Sequence, residues 1–416
     1  MGLMALLQAA QVSHSALAKN RTSPGTFGKP MTLARGIYGP SPDAGLFEYT
    51  KLPLEEPNEL LPDTSRPLAA PRWFFEKYSR QQLTGLMNSC GLSQEQRDAL
   101  IDPSRWEQTS NGISLTPPPQ VVLELSSAAR ERIYSVLAQS DANSVQRYPF
   151  RFHPDSFEAW LPETGLDPDQ AALIRKLIYK QGDVLCFCDG AIVQRLFSDV
   201  AFRRLVKALH GEQTFLMRLA IKADSDINAI VRYWGKGGRA EALRPLFESM
   251  AKVRGGASIN VSYILPTFAR LRLYTFAHDA NGPNENCFWT AMNFFNDKPD
   301  PQFVEFKNVQ RALDADYRRI RETPSYGDLI LLTDVAGKAL HMCVYLADDV
   351  VFTKNGKDYM QPWVLMKIPD MLTYYNAPTP AQMTVYRSKH QGGSKRPGFE
   401  SPSQISRATP DPLKEL

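Results

Sequence analysis

The clearest alternation of apolar and polar positions lies in the C-terminal third of the chain. Leu329 to Leu332 is a short apolar run after the turn Tyr326-Gly327-Asp328, and it predicts a buried strand. Ala339 to Ala347 predicts the next strand. On it His341, Cys343 and Tyr345 share one face, and Leu340, Met342, Val344 and Leu346 share the other. Asp348-Asp349 predicts a hairpin turn into a third strand beginning at Val350. If the loop is three residues, Ala347 to Asp349, Asn355 lies across from His341. A two-residue turn would put Gly356 there instead. Upstream, Cys287, Ala291 and Phe295 recur at four-residue spacing and predict a helix. Asn286 suits its N-cap, and Asn296-Asp297-Lys298-Pro299 breaks it. Pro283 and Asn284 punctuate the loop before it. Phe303 to Ala315 predicts a second helix, and Trp363 with the stretch Leu365 to Leu372 closes the unit.

Residues 73–256 alternate between helical and strand patterns, beginning at the aromatic stretch Trp73-Phe74-Phe75. Val121 to Leu125 reads as a strand after three prolines, and Ser126 or Ser127 as the cap of a helix ending near Gln139. Asp167-Pro168-Asp169-Gln170 is a strong helix start, with that helix running to Gly182 and a strand from Asp183 to Cys188. Ser198 caps a helix ending at Gly211. Phe215, Met217, Leu219 and Ile221 alternate as a half-buried strand should, and Ile227, Ile230, Val231 and Trp234 form a helix stripe. Arg239 to Val253 is one more helix. No strict repeat period is present. The chain therefore reads as α+β. An extended, partly disordered lead over 1–72 holds nine of the 31 prolines. An α+β domain spans 73–256, a second domain 257–387 and a disordered tail 388–416.

Composition narrows the function classes. The net charge is only +4, and no run of Lys and Arg interleaved with aromatics occurs, so a nucleic-acid partner is not expected. No apolar run is long enough to cross a membrane. Met4 to Ala10 is apolar but lacks a preceding basic residue. It reads as a frayed helix, with a secretory signal as the alternative, so the compartment stays open. Five cysteines cannot all pair, and neither they nor the six histidines show zinc-ligand spacing, so no metal or cofactor is expected. Asp183 and Asp189 read as cap and turn residues. Gly235-Lys236-Gly237-Gly238 lacks the order of a phosphate loop and reads as a helix–helix linker. Oligomeric state is not legible.

The candidate chemistry is a thiol and an imidazole. Cys287 falls in the first helical turn, where the helix dipole favours a thiolate. His341 opens a strand beside small residues that leave room for a helix to approach. Asn355 is a candidate third residue that orients the ring. The plainer alternatives are a buried structural cysteine and a hydrogen-bonded core histidine.

This arrangement of Cys287, Gly327-Asp328-Leu329 and His341-Met342-Cys343-Val344-Tyr345-Leu346 resembles the NlpC-type cysteine peptidases of the papain-like superfamily, over about residues 270 to 370. The resemblance implies a helix packed on a small antiparallel sheet, with Cys287 as nucleophile, His341 as general base and Asn355 as third residue. It makes Tyr274 the counterpart of a family tyrosine near the oxyanion site, with the Cys287 backbone N–H as the other donor. The family usually has Asp before the cysteine and a small residue with Gly after it, where this chain has Asn286, Phe288 and Trp289. Its third residue is often a histidine. The implied activity is hydrolysis of an amide or peptide-like bond through a Cys-His thioester mechanism. The alternatives are acyl transfer or thioester hydrolysis on the same fold, and a non-catalytic binding module that keeps the shell.

Overall fold

The computed structural model describes residues 30–390, apart from 34–35, 56, 59–60, 62, 153, 278–284, 358–360 and 376–379. The readings placed on Met4 to Ala10, on Pro283-Asn284 and on the tail beyond 390 lie outside the described residues. The chain is α+β, with helices packed against antiparallel sheets. Among the described residues no helix is long and apolar enough to cross a membrane.

Two three-stranded sheets lie in the first half of the chain. One is ordered Trp73–Glu76, Gly112–Leu115, Trp106–Thr109, and the other Phe150–Phe152, Val184–Phe187, Tyr179–Gln181. The capping box at Asp167 forms as its residues require: the Asp167 carboxylate accepts from Gln170 N, and the Gln170 side chain accepts from the Asp167 backbone. That helix stops at Leu177. Gly182, with φ of 61°, then turns a hairpin between Tyr179–Gln181 and Val184–Phe187. Val121 to Leu125 is a helical turn, Pro119–Glu124, and not a strand. Pro119 supplies a fixed φ at the first helical position, which overrides the β propensity of the two valines. Asp189 stands at the N-cap of Gly190–Leu196, as read, but its side chain makes no cap bond. Its buried carboxylate accepts from Arg130 Nε at 2.9 Å and from Tyr134 Oη at 2.6 Å, while Arg130 donates onward to the carbonyls of Leu125 and Lys176. A buried ion pair needs this degree of satisfaction to be tolerated.

The lead is more ordered than its composition predicts. Leu46–Leu54 is a nine-residue strand that pairs along its whole length with Glu212–Ile221, in a sheet completed by Pro30–Met31 and Ala257–Asn260. Its side chains pack on one face, with Tyr49 edge-on to Phe215 at 5.6 Å and Phe47 against Trp234 at 6.1 Å. Tertiary pairing supplies the order that the proline-rich sequence does not.

The second half is built on a six-stranded antiparallel sheet. Its order is Tyr317–Ile320, Gln382–Ser388, Leu329–Thr333, Ala339–Ala347, Val350–Lys354, Trp363–Lys367. Alternation sorts the central strands onto two faces. Leu329, Leu331, Met342, Val344, Phe352 and Leu365 join the core that contains Trp289, Ala291 and Met292 of the helix Cys287–Met292. Ile330, Leu332, Cys343, Tyr345, Val351 and Met366 join a separate core under the helix Ile368–Tyr375. These are called below the cysteine helix and the closing helix. Asp328, the acid of the Gly-Asp-Leu turn, has a structural role: its carboxylate accepts from Arg387 Nη2 at 2.6 Å and from the Ser325 backbone at 2.8 Å.

The hairpin between Ala339–Ala347 and Val350–Lys354 decides which residues meet. Asp348 and Asp349 have φ of 50° and 60°, both left-handed, as a two-residue type I′ turn requires. The register shifts between Tyr345 and Ala347, so Leu346 and Ala347 together oppose Val350. The turn is the two-residue kind, but the bulge restores the register of the three-residue reading. With Val344 opposite Phe352, the same register sets Met342 beside Lys354 and His341 beside Asn355. The turn is locked by the lead. Asp349 accepts from Tyr38 N at 2.8 Å and Gly39 N at 2.7 Å, and Asp348 accepts from Ser41 N at 2.7 Å. Lys367 Nζ donates to the Asp348 carbonyl. A Cβ on Gly36 would lie 2.4 Å from Asp349, so the close approach needs glycine there.

Asp349→Ala removes a carboxylate that accepts two backbone N–H groups and leaves the buried Gly39 N–H and the part-buried Tyr38 N–H unpaired. The expected loss of unfolding free energy is about 3 kcal/mol, read by urea denaturation. A loss under about 1 kcal/mol would show that the lead does not lock the turn.

Candidate functional site

The cysteine helix forms as its sequence dictates. Asn286 is the N-cap, its Oδ1 accepting from Trp289 N at 2.9 Å while Nδ2 donates to the Val304 carbonyl at 2.8 Å. Asn293 ends the helix, holding Asp300 N and the Asp300 carbonyl with its amide. The helix is thus pinned at both ends to the loop that follows it. Thr290, one turn beyond Cys287, accepts from Trp363 Nε1 at 3.0 Å, which ties the helix to the outermost strand.

Cys287 is buried, 4% exposed. Burial pushes its thiol up to about 11. The backbone N–H groups of Met342 and Phe288 and the Lys354 ammonium pull the other way. His341 is fully buried, and burial pushes its imidazole down to about 3. Burial thus favours the neutral form of both groups and disfavours a thiolate–imidazolium pair in this conformation.

The imidazole is held on both sides. His341 Nε2 lies 2.8 Å from Thr353 Oγ1, and the ring stacks on Tyr375 of the closing helix at 4.5 Å with an interplanar angle of 18°. Nδ1 is buried with no hydrogen-bond partner. No hydrogen bond joins it to Cys287. The alternation of the strand explains this: His341 is directed to the face under the closing helix, while the body of the cysteine helix packs over Met342 and Val344.

Asn355 is buried, on the same face as His341. Its Nδ2 reaches Met366 Sδ at 4.0 Å and its Oδ1 has no hydrogen-bond partner, so it makes no bond to the imidazole. Thr353 occupies the orienting position instead. Tyr274 sits in the left-handed region, with φ of 66°. Its backbone N–H donates to the Trp363 carbonyl at 2.7 Å and its hydroxyl to the Phe215 carbonyl at 2.8 Å. That hydroxyl is committed to the Glu212–Ile221 strand and makes no bond to Cys287.

The structure thus brings His341 together with Thr353, Tyr375 and, across the strand pair, Asn355. It brings Cys287 to the backbone of Met342 and to the side of Lys354. Thr353 was legible in principle, since Val351, Thr353 and Asn355 alternate onto the His341 face. Tyr375 had no sequence signal, because nothing in the stretch that closes the unit says which residue packs on His341. Lys354 was hidden by its residue type, a fully buried lysine being rare. The Arg272 guanidinium lies over the rings of Phe268 at 4.3 Å and Trp289 at 4.9 Å, and pairs with Glu285 at 3.4 Å. Trp289, which departs from the pattern of the resembling family, is therefore occupied by this contact. Comparison with protein-family models, curated proteins and solved structures finds no match to the chain.

Two outcomes follow from the buried ring. Between about pH 6.5 and about 3 the unfolded chain binds a proton at His341 that the folded chain rejects. Stability therefore falls as pH drops through that window, by up to about 1.4 kcal/mol per unit. Denaturation series from pH 7 to 4 should show a slope smaller by about one proton in His341→Gln. An unchanged slope would place the acid sensitivity elsewhere. Thr353→Val leaves the ring's Nε2 unpaired and should cost about 1–3 kcal/mol, measured in the same experiment. A loss well below 1 kcal/mol would show that Thr353 does not hold the ring.

Proposed function

We propose that residues 257–387 form a cysteine hydrolase acting on an amide or peptide-like bond. The observation that carries this reading is the state of the two nitrogens of His341. Nε2 is anchored by Thr353, and Nδ1 is left as an unsatisfied buried atom. With the proton on Nε2 donated to Thr353 Oγ1, Nδ1 keeps its lone pair, which is the state a general base needs. Cys287, at the capped start of its helix with the Met342 and Phe288 N–H groups around its sulfur, supplies the nucleophile.

In the proposed reaction the Cys287 S–H proton passes to Nδ1 as Sγ bonds to the acyl carbon. The C–N bond then breaks, and the proton leaves with the amine. Water, deprotonated by the same nitrogen, hydrolyses the thioester and frees the thiol. If an amine or alcohol accepts the acyl group, the same steps describe an acyltransferase. The reaction requires the buried thiol to become accessible and to form the hydrogen bond with Nδ1 that this conformation lacks.

A second reading has its own observation. Burial of both groups, with the thiol up to about 11 and the imidazole down to about 3, suits a module that keeps the shell for binding and performs no chemistry.

The test is the rate of iodoacetamide modification of Cys287 against pH, followed by mass spectrometry in wild type and in His341→Ala. Labelling at neutral pH faster than at the buried Cys90, and slowed at least several-fold in the variant, is the expected outcome. If Cys287 labels no faster than Cys90 and the substitution changes nothing, the hydrolase reading fails and the binding reading stands.

A further inference from the structure

We infer that Arg151, from a sheet in the first half of the chain, latches the last turn of the closing helix and so keeps Tyr375 shut over the His341 ring. The inference deepens the proposed reading and rests on His341 being the general base.

Placement carries it. The closing helix lies over the His341 face with Ile368, Met371 and Tyr374 buried, and Tyr375 stacks on the imidazole at 4.5 Å. The first turn of the helix is tied to the sheet it covers, Ile368 N donating to the Asp349 carbonyl at 2.8 Å. Its last turn is tied elsewhere. Arg151 Nη1 donates to the Tyr374 carbonyl at 3.2 Å, across 223 positions of sequence. The final carbonyls of a helix have no donor within it, so a donor from outside satisfies one of them, and a cation suits the negative end of the helix dipole.

The sequence places Arg151 for this contact. It is the middle residue of the strand Phe150–Phe152, whose two phenylalanines enter one core with Phe187. Alternation sets Arg151 on the opposite face, beside its register partner Cys186. Arg151 is itself buried, and its Nη2 lies 3.4 Å from Gln181 Oε1 on the third strand of the same sheet. One end of the guanidinium is thus fixed in its own sheet, and the other holds the closing helix. The helix is fastened to the His341 sheet at its start and to the Arg151 sheet at its end. Tyr375 follows the latched carbonyl directly, so releasing that end uncovers the imidazole. Nδ1, unpartnered while the helix is shut, would then meet the water that the thioester step consumes. Removing a buried hydrogen bond from a charged donor shifts such an opening equilibrium by roughly tenfold or more.

The experiment uses the full chain and reads carbethoxylation of single histidines by diethyl pyrocarbonate, followed by peptide mass spectrometry. The exposed His390 and the buried His210 are the internal references. It compares wild type, Arg151→Met, Tyr375→Ala and Tyr375→Phe, with melting temperature as the control for folding. Arg151→Met should raise the rate at His341 roughly tenfold while His210 and His390 keep theirs. Tyr375→Ala should raise it likewise, and Tyr375→Phe, which retains the stacked ring, should not. A wild-type rate at His341 in folded Arg151→Met or Tyr375→Ala overturns the inference. An equal rise at His210 also overturns it, because that is general loosening. If Arg151→Met does not fold, Arg151→Gln, whose side chain is shorter by two bonds, decides on the same outcomes. Failure of the hydrolase reading is separate, because it appears as insensitivity of Cys287 labelling to His341→Ala whatever Arg151 does.

Discussion

The arrangement of the candidate site depends on one turn. Asp348 and Asp349 both adopt left-handed backbone conformations, which cost energy for any residue with a Cβ and which Asp tolerates better than most. The carboxylates that permit this are also used: they take up the backbone N–H groups of Tyr38, Gly39 and Ser41. The turn and the lead therefore stabilise one another. The bulge at Leu346 follows from the same local geometry, and it sets the pairing of everything toward the open end of the hairpin. A slip of one residue would exchange the two faces, sending Thr353 away from His341 and Lys354 away from the cysteine helix.

That constraint explains why the sheet can carry different chemistry on its two sides. On one face lie the thiol helix, Lys354, Trp363 and the Arg272 stack. On the other lie His341, Thr353, Asn355 and Tyr375. Both sides are closed off from water, so every polar group must find a protein partner or remain unsatisfied. Most of the named groups do find one. The unsatisfied atoms near the ring, His341 Nδ1 and Asn355 Oδ1, are the exceptions, and such exceptions in a buried setting call for an explanation in function.

Much of this was legible in the sequence because it follows from period and punctuation. The strands on either side of His341, the Asn286 cap and the α+β class all rest on alternation, on cap chemistry and on breakers. The pairing of Asn355 with His341 was reached through a three-residue loop, whereas the chain uses a two-residue turn and a bulge to the same end. What could not be read depended on distant packing. The lead looked unstructured because its order comes from a strand more than 150 positions away, and Val121 to Leu125 looked like a strand because propensity was weighed without the proline cap. At the site, the strand pattern pointed to Asn355 and the family resemblance to Tyr274 as supporting groups, but amide and phenol orientations are set by neighbours. Met366 lies beside one and the Phe215 carbonyl takes the other.

The strength of the burial bears on how a reaction could proceed. With burial pushing the Cys287 thiol up to about 11 and the His341 imidazole down to about 3, the ion pair is disfavoured as a first step. Either the site opens and water restores both groups toward their ordinary values, or proton transfer accompanies attack, so that no isolated charge is ever buried. In the second case the sulfur gains negative character only as the acyl bond forms, so neither group has to carry an isolated charge before attack.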